Sequence, residues 1–142
     1  MDEFIGCIED ASAVAVYKEG AAAEYKRGSA EFMAIMSAWH ETIAGARPMP
    51  AFGVCIDSLT RQEKQSGVWI EFLFDEEHSG DGMPFEKLLL KVEPEYRGFN
   101  LCRFFNGKYG GRCFYLDLNG GDMRALSAAA ANLPAQERKK QC

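Results

Sequence analysis

Two arginines, Arg103 and Arg112, are the side chains of this sequence whose type and spacing most directly suggest a binding site. They lie on the two arms of a predicted β-hairpin over residues 99–118, and strand alternation places both on its apolar side. Two guanidinium groups there could hold a carboxylate or phosphate in bidentate fashion, with Trp39 or Tyr115 stacking on the ligand. The competing interpretation, which we favour, is that only their stems pack and their heads reach water at the sheet edge.

Two cysteines, Cys102 and Cys113, lie on the opposite face of the same hairpin. If paired residue numbers sum to 215, these two are directly opposed and could form a disulfide under oxidation. A thiolate nucleophile needs a base or cation nearby, and the sequence places no histidine there. The five cysteines are odd in number, widely spread and lack a C-x-x-C pair. We therefore expect most of them to be small buried side chains in a reducing compartment.

The remaining candidates for chemistry are weaker. The acidic segment 75–82, DEEHSGDG, gathers oxygen ligands and one imidazole, but its spacing does not match an EF-hand, so we expect a solvated loop and no metal. His40 and Glu41 could supply acid-base chemistry, yet neighbours on a helix point about 100° apart. We expect a surface histidine. The sequence predicts neither a cofactor nor a catalytic residue.

Four apolar side chains share one predicted sheet face: Trp69, Leu73, Phe104 and Tyr115. If the predicted helices cover only the other face, this group is exposed and marks a partner or dimer surface. The alternative is that the N-terminal segment or a folded-over strand covers it. The two alternatives predict different exposure for the same residues.

Composition bounds the function further. With 142 residues, of which 47% are hydrophobic and 26% charged, the chain resembles one globular domain. We expect residues 1–134 to form it and residues 135–142 to be a flexible tail. A net charge of -5 disfavours nucleic acid as a partner. No apolar run of about 18 residues and no basic-then-apolar N-terminus occur, so we expect a cytoplasmic protein without a membrane partner.

The clearest predicted element is a helix that begins after Ser29 and ends before Gly45 and Pro48. Its apolar stripe is Phe32, Ile35, Met36, Trp39 and Ile43. A shorter helix follows the capping residue Asp122 and ends at Pro134. Its stripe is Met123, Leu126, Ala130 and Leu133. Both helices should lay these stripes on a sheet.

Alternating runs predict the strands of that sheet. They are residues 13–17, 22–26, 52–57, 68–74 and 85–92, in addition to the hairpin at 99–118. The run at 22–26 could equally begin a helix, and 85–88 could form a helical turn. Residues 52–57 and 68–74 are predicted to form a hairpin through a polar turn.

The turn of the last hairpin has two solutions. Both arms face inward only if paired residue numbers have an odd sum, which allows a tight Asn106-Gly107 turn or a longer loop through Lys108 to Gly110. The tight turn would place Gly110 and Gly111 inside a strand, where glycine is weak. We therefore favour the longer loop.

Together these elements predict an α+β fold, in which an antiparallel sheet of about six strands (ββα-ββ-β-ββ-α) packs on one long helix and a short C-terminal helix. The lack of a catalytic constellation favours a non-enzymatic protein-interaction module that could form a homodimer. The alternative is a small enzyme or a binding protein for an anionic ligand. Its pocket would lie between the long helix and the sheet and use Arg103, Arg112, Trp39 and Tyr115.

Overall fold

The computed structural model describes residues 3–49, 54–80 and 82–133. The predicted α+β class is confirmed, although the sheet formed by these residues has nine strands rather than about six. The strands are β1 (Ala13–Lys18), β2 (Ala21–Lys26), β3 (Arg47–Met49), β4 (Val54–Ile56), β5 (Val68–Gly80), β6 (Met83–Val92), β7 (Gly98–Phe105), β8 (Lys108–Arg112) and β9 (Phe114–Asp117). The helices are α1 (Glu3–Ile8), α2 (Ala30–Thr42), α3 (Asp57–Glu63) and α4 (Arg124–Ala131). The predicted tail, residues 135–142, lies outside the described residues.

The sheet is antiparallel, in the order β2-β1-β5-β6-β7-β8-β4. Strand β7 is shared along its length. Its first half pairs with β9, which in turn carries β3, and its last residues pair with β8. The long strands β5 and β6 form the centre, so residues that are distant in sequence meet on their two faces.

One face carries the main apolar core, and helices α2 and α4 cover it. Ser29 caps α2 by accepting the backbone N–H of Phe32 at 3.1 Å, as predicted. Both predicted stripes contribute to this core, with Ile43 only half-buried. In β5, Ile70 and Phe72 are fully buried beneath the helices. The alternation predicted for residues 68–74 is therefore confirmed.

The predicted hairpin between residues 52–57 and 68–74 is wrong. Strand β4 pairs with β8 instead, and residues 50–53 lie outside the described residues. The polar segment forms helix α3, in which Asp57 and Arg61 bond at 2.8 Å across one turn. Pairing with β8 buries Cys55 and leaves Val54 and Ile56 exposed. The partner strand lies far along the chain, so local alternation could not assign it.

The longer loop favoured for the last hairpin is also wrong. Asn106 and Gly107 form the tight turn, with φ angles of 60° and 85°. Phe104 pairs with Tyr109, so the sum is odd as predicted. Gly111 lies inside β8 with a φ angle of 73°, and a Cβ at this position would collide with the guanidinium of Arg103. Glycine at this position makes room for a buried arginine.

The predicted acidic loop is in large part a strand. Strand β5 continues to Gly80 after an irregularity between Leu73 and His78, while Asp81 lies outside the described residues. The His78 ring lies 4.8 Å from that of Phe74 and 6.1 Å from that of Phe85. The imidazole of His78 therefore packs among aromatic rings at a position where a solvated loop was expected.

Candidate functional site

The face of the sheet opposite α2, called the second face below, carries the candidate site. Because Ile70 and Phe72 of β5 point into the main core, alternation sends Trp69 and Glu71 to the second face. A small apolar cluster forms there. Its buried members are Trp69, Leu89 and Tyr109. Lys64, which follows α3, lies over this cluster, so the second face is partly covered.

A buried carboxylate, Glu71, occupies the centre of the second face, with 0% of its surface exposed. It accepts the O–H groups of Tyr17 on β1 at 2.7 Å and of Tyr109 on β8 at 2.5 Å. Lys64 Nζ donates to the Tyr109 hydroxyl at 2.8 Å and lies 4.5 Å from the Tyr17 ring centroid. Four separate segments therefore meet around one carboxylate, and a nearby cation offsets its charge.

The environment of this network holds both tyrosines in the donor form. Burial, and next the negative charge of Glu71, raise the pKa of Tyr17 and of Tyr109 far above the ordinary tyrosine value. Burial lowers the pKa of Lys64, and Glu71 opposes that shift. Both hydroxyls thus remain donors to Glu71 throughout the neutral range, which fixes β1, β5 and β8 relative to one another.

An open cleft of about 330 Å³ lies beside this network. We call it the aromatic cleft; its lining includes Glu63, Trp69, Leu89, Lys91, Tyr96, Asn100, Cys102 and Tyr115. Strand register brings these residues together, since Trp69 opposes Lys91, Leu89 opposes Cys102, and Asn100 opposes Tyr115. The Trp69 indole N–H donates to Ser66 O at 2.9 Å, which fixes the ring as a wall. The cleft therefore presents preorganised aromatic surfaces.

Three cysteines meet next to the cleft. A disulfide joins Cys55 of β4 to Cys102 of β7, and the thiol of Cys113 lies 3.1 Å from Cys55 Sγ and 3.9 Å from Cys102 Sγ. Cys55 and Cys113 are buried. Burial raises the pKa of the Cys113 thiol, and the nearby Arg103 charge opposes that effect. The predicted proximity of Cys102 and Cys113 is thus observed, whereas the disulfide partner is Cys55.

Arg103 is 8% exposed and lies at a second cleft of about 380 Å³ that Asn106, Lys108 and Gly110 also line. Its Nε donates to Arg112 O at 2.7 Å and its Nη1 to Pro84 O at 2.8 Å. No ion pair joins it to a carboxylate in the described part of the chain. Arg103 therefore brings an uncompensated charge into the sheet.

The four residues predicted to bind an anion are not brought together. The Arg112 side chain is exposed, and its backbone rather than its guanidinium meets Arg103. Trp39 has 0% exposure and fills the main core against Phe72, at a centroid distance of 5.0 Å. Tyr115 alone of the four lines the aromatic cleft. The pocket predicted between α2 and the sheet is at this position filled by Trp39.

The four residues predicted as an interaction surface do share the second face, but their exposure differs. Trp69 is 7% exposed, while Leu73, Phe104 and Tyr115 are half-buried. Phe104 packs against Tyr109 at 5.0 Å between ring centroids and lies under Lys87 Nζ at 4.5 Å. Helix α3, Lys64 and Lys87 therefore cover part of the surface that the partner or dimer hypothesis requires to be exposed.

Sequence reasoning missed Glu71, Lys64, Tyr109 and Cys55 as parts of a site. One signal was present, because Glu71 is a lone carboxylate in the otherwise apolar run of residues 68–74. A charge at such a position must find partners when buried. Cys55 had no such signal, since only the pairing of β4 with β8 brings it near Cys102.

No known protein family, curated protein or solved structure matches this chain. Within the described residues, no helix combines the length and the apolar character that crossing a membrane requires. A function is therefore inferred from the geometry of the second face.

Proposed function

We propose that this protein binds a small planar molecule in the aromatic cleft. The observation that carries the proposal is that three aromatic side chains, Trp69, Tyr96 and Tyr115, line the same cleft. Leu89 is fully buried, whereas Tyr96 is 36% exposed and so has surface available to a ligand. Aromatic walls with a few polar groups are typical of small-molecule sites.

The polar groups of the cleft indicate the class of ligand. Glu63 and Lys91 contribute one charge of each sign, and Lys91 Nζ also lies 3.4 Å from Glu93. The cleft therefore does not favour a strongly charged molecule, whereas Asn100 offers both a donor and an acceptor. A volume of about 330 Å³ is near the small end for such sites. A neutral or zwitterionic heteroaromatic ring system satisfies these conditions.

Titration with small aromatic probes, followed by protein NMR, tests the proposal. Indole, nicotinamide and adenine are added at millimolar concentration, and the Trp69 indole and Asn100 side-chain amide resonances are observed. We expect saturable shifts for at least one probe, and weaker binding in Tyr115→Ala by several-fold because one wall is lost. Tyr25→Ala, a half-buried tyrosine on β2, is the matched control. Probe-induced shifts that are unchanged in Tyr115→Ala, or the absence of any shift in the wild type, contradict the proposal.

A second candidate function, self-association, is favoured by a different observation. Val54 and Ile56 of β4 are 67% and 59% exposed, and Leu59 of the adjoining α3 is 48% exposed. Strand β4 ends the sheet order, and no described strand pairs with its outer edge. An apolar edge strand is a template for pairing with another chain. A second copy could pair there through the same strand in an isologous contact.

Light scattering on the purified chain tests self-association. We expect a concentration-dependent dimer that Val54→Lys together with Ile56→Lys reduces to monomer, because charges on an edge strand prevent pairing. Met33→Lys, which removes an exposed apolar residue from α2 instead, is the control. A wild-type chain that stays monomeric at high micromolar concentration argues against this candidate.

A further inference from the structure

Three sulfur atoms converge at the junction of β4, β7 and the β8–β9 connection. The Sγ atoms of Cys55, Cys102 and Cys113 all lie within 4.8 Å of one another. Each cysteine comes from a different part of the sheet, and pairing of β4 with β8 together with that of β7 with β9 holds the cluster in place. Such convergence exceeds what a single disulfide requires.

We propose that, in the reduced chain, Cys55, Cys102 and Cys113 bind one zinc ion through three thiolates. Thiolate sulfur is a preferred ligand of zinc, which takes such ligands at about 2.3 Å in tetrahedral geometry. The fourth position is left for water or another ligand. The disulfide form is the oxidised, metal-free state of the same cluster.

The distances fit this coordination. A tetrahedron with Zn–S bonds of about 2.3 Å places its sulfurs about 3.8 Å apart. Cys102 and Cys113 are already 3.9 Å apart, and Cys55 is 3.1 Å from Cys113. Reduction of the disulfide frees Cys55 to widen its separations by rotation of its side chain. The backbone can thus stay in place when the ion binds.

The charge near the cluster fits as well. Zinc with three thiolates carries one net negative charge, and Arg103 next to Cys113 brings a positive charge that no described carboxylate pairs with. Arg103 Nε also donates to the carbonyl of Arg112, the residue that precedes Cys113, and so fixes the backbone of this ligand. Gly111, opposite Cys55 in the β4–β8 register, leaves the space that the guanidinium occupies. Partners of this kind orient metal ligands.

The geometry fits disulfide exchange less well. Attack by Cys113 on Cys55 would require the leaving sulfur of Cys102 on the far side, in line with the other two. With an S–S bond of about 2.05 Å, that arrangement puts Cys102 and Cys113 about 5 Å apart. The observed 3.9 Å corresponds to a triangle of sulfurs instead.

A thiol or phosphine reductant supplies two electrons to the Cys55–Cys102 disulfide and is itself oxidised, and two protons complete the two thiols. Binding of Zn²⁺ then forms three Zn–S bonds and releases three protons, one from each thiol. A small-molecule disulfide can act as the oxidant in the reverse direction: it accepts two electrons from the Cys55 and Cys102 thiolates and is reduced to two thiols. The Cys55–Cys102 disulfide forms again, two ligands are lost, and Zn²⁺ is released.

Cobalt titration of the 142-residue chain, reduced with a phosphine and kept anaerobic, tests the proposal. Co²⁺ is a coloured substitute for zinc, and we expect thiolate-to-cobalt charge-transfer absorption and the intense visible bands of tetrahedral cobalt at one equivalent. Zn²⁺ should abolish both. The same chain before reduction should bind no metal, since two of its three ligands are joined in the disulfide.

Single variants assign the ligands. We expect Cys55→Ser, Cys102→Ser and Cys113→Ser each to weaken zinc binding more than about 100-fold, because each removes a ligand. Arg103→Leu removes only a residue that supports a ligand and should weaken binding by about 10–100-fold. Cys7→Ser and Cys142→Ser are controls that should bind as the wild type does. Circular dichroism confirms folding, and where a serine variant does not fold, the alanine variant at the same position replaces it. Less than one equivalent in the reduced wild type, octahedral cobalt, or binding unchanged in Cys113→Ser overturns the proposal.

Discussion

The two faces of the sheet are held together in different ways. On the main-core face, side chains such as Trp39 and Phe72 have no exposed surface and meet only through apolar packing, with the two rings 5.0 Å apart. On the second face, the buried group is a carboxylate, Glu71, with two tyrosine hydroxyls and a lysine around it. The same strand β5 supplies both Phe72 and Glu71, so neighbours in sequence belong to opposite chemistries.

The two kinds of interaction depend differently on exact geometry. Apolar packing is tolerant of exact direction, whereas a buried carboxylate is stable only when each hydrogen bond is made. The second face is therefore the more precisely positioned of the two, and it carries the aromatic cleft and the cysteine cluster.

The largest effect is expected for Phe72→Ala in the main core. Removal of a fully buried phenylalanine side chain should lower the free energy of unfolding by about 3–5 kcal/mol, because it leaves a cavity under α2. The matched change on the second face is Phe104→Ala. Its half-buried ring should cost about 1–2 kcal/mol. Urea unfolding measures both, and equal losses would mean that the two faces are packed alike.

The next effect concerns Glu71→Gln. The amide keeps the shape of the carboxyl group but offers one acceptor oxygen instead of two, so one tyrosine hydroxyl loses its acceptor. We expect a loss of about 1–3 kcal/mol in the free energy of unfolding. Glu24→Gln on exposed β2 is the control and should change it by less than about 0.5 kcal/mol. If Glu71→Gln is equally silent, the carboxylate does not organise the second face.

The pH dependence of stability should distinguish the faces next. Burial and Glu71 raise the pKa of Tyr17 and Tyr109 in the folded state. The two tyrosines therefore contribute fully to the free energy of unfolding below pH 10, and this contribution is lost as the pH rises further. Above pH 10 each tyrosine should lower the free energy of unfolding by up to about 1.4 kcal/mol per pH unit.

Comparison with the double variant Tyr17→Phe and Tyr109→Phe isolates this effect in urea unfolding between pH 9 and pH 11. Lys64 faces the same network. Because its pKa is lowered in the folded state, its contribution to the free energy of unfolding rises with pH until the pKa of the unfolded state is reached. This change is opposite in sign to that of the tyrosines and is present in both proteins. The wild type should therefore show the steeper decline. Parallel curves would show that neither hydroxyl is held as a donor.

The faces also differ in how far the sequence predicts them. The stripe of α2 and the alternation of β5 are local patterns, which is why the helix and the core side of the sheet followed from periodicity. Glu71, Tyr109 and Lys64 meet only after β1, β5, β8 and α3 are assembled, and no spacing along the chain records that meeting. Arg103 shows the limit clearly: alternation placed it inward, but only the fold shows that Gly111 makes its space.

The smallest effect is expected for Lys64→Met. Methionine retains much of the apolar stem that packs on the second face but removes the ammonium group, which lies 4.5 Å from the Tyr17 ring centroid and 4.8 Å from that of Tyr109. Tyr109 still donates to Glu71, so we expect a loss of only about 0.5–1 kcal/mol in urea unfolding. Lys26→Met on exposed β2 is the control. A loss as large as that of Glu71→Gln would instead assign Lys64 as the essential counter-charge of the buried carboxylate, and the second face would then depend on an ion pair rather than on tyrosine hydrogen bonds.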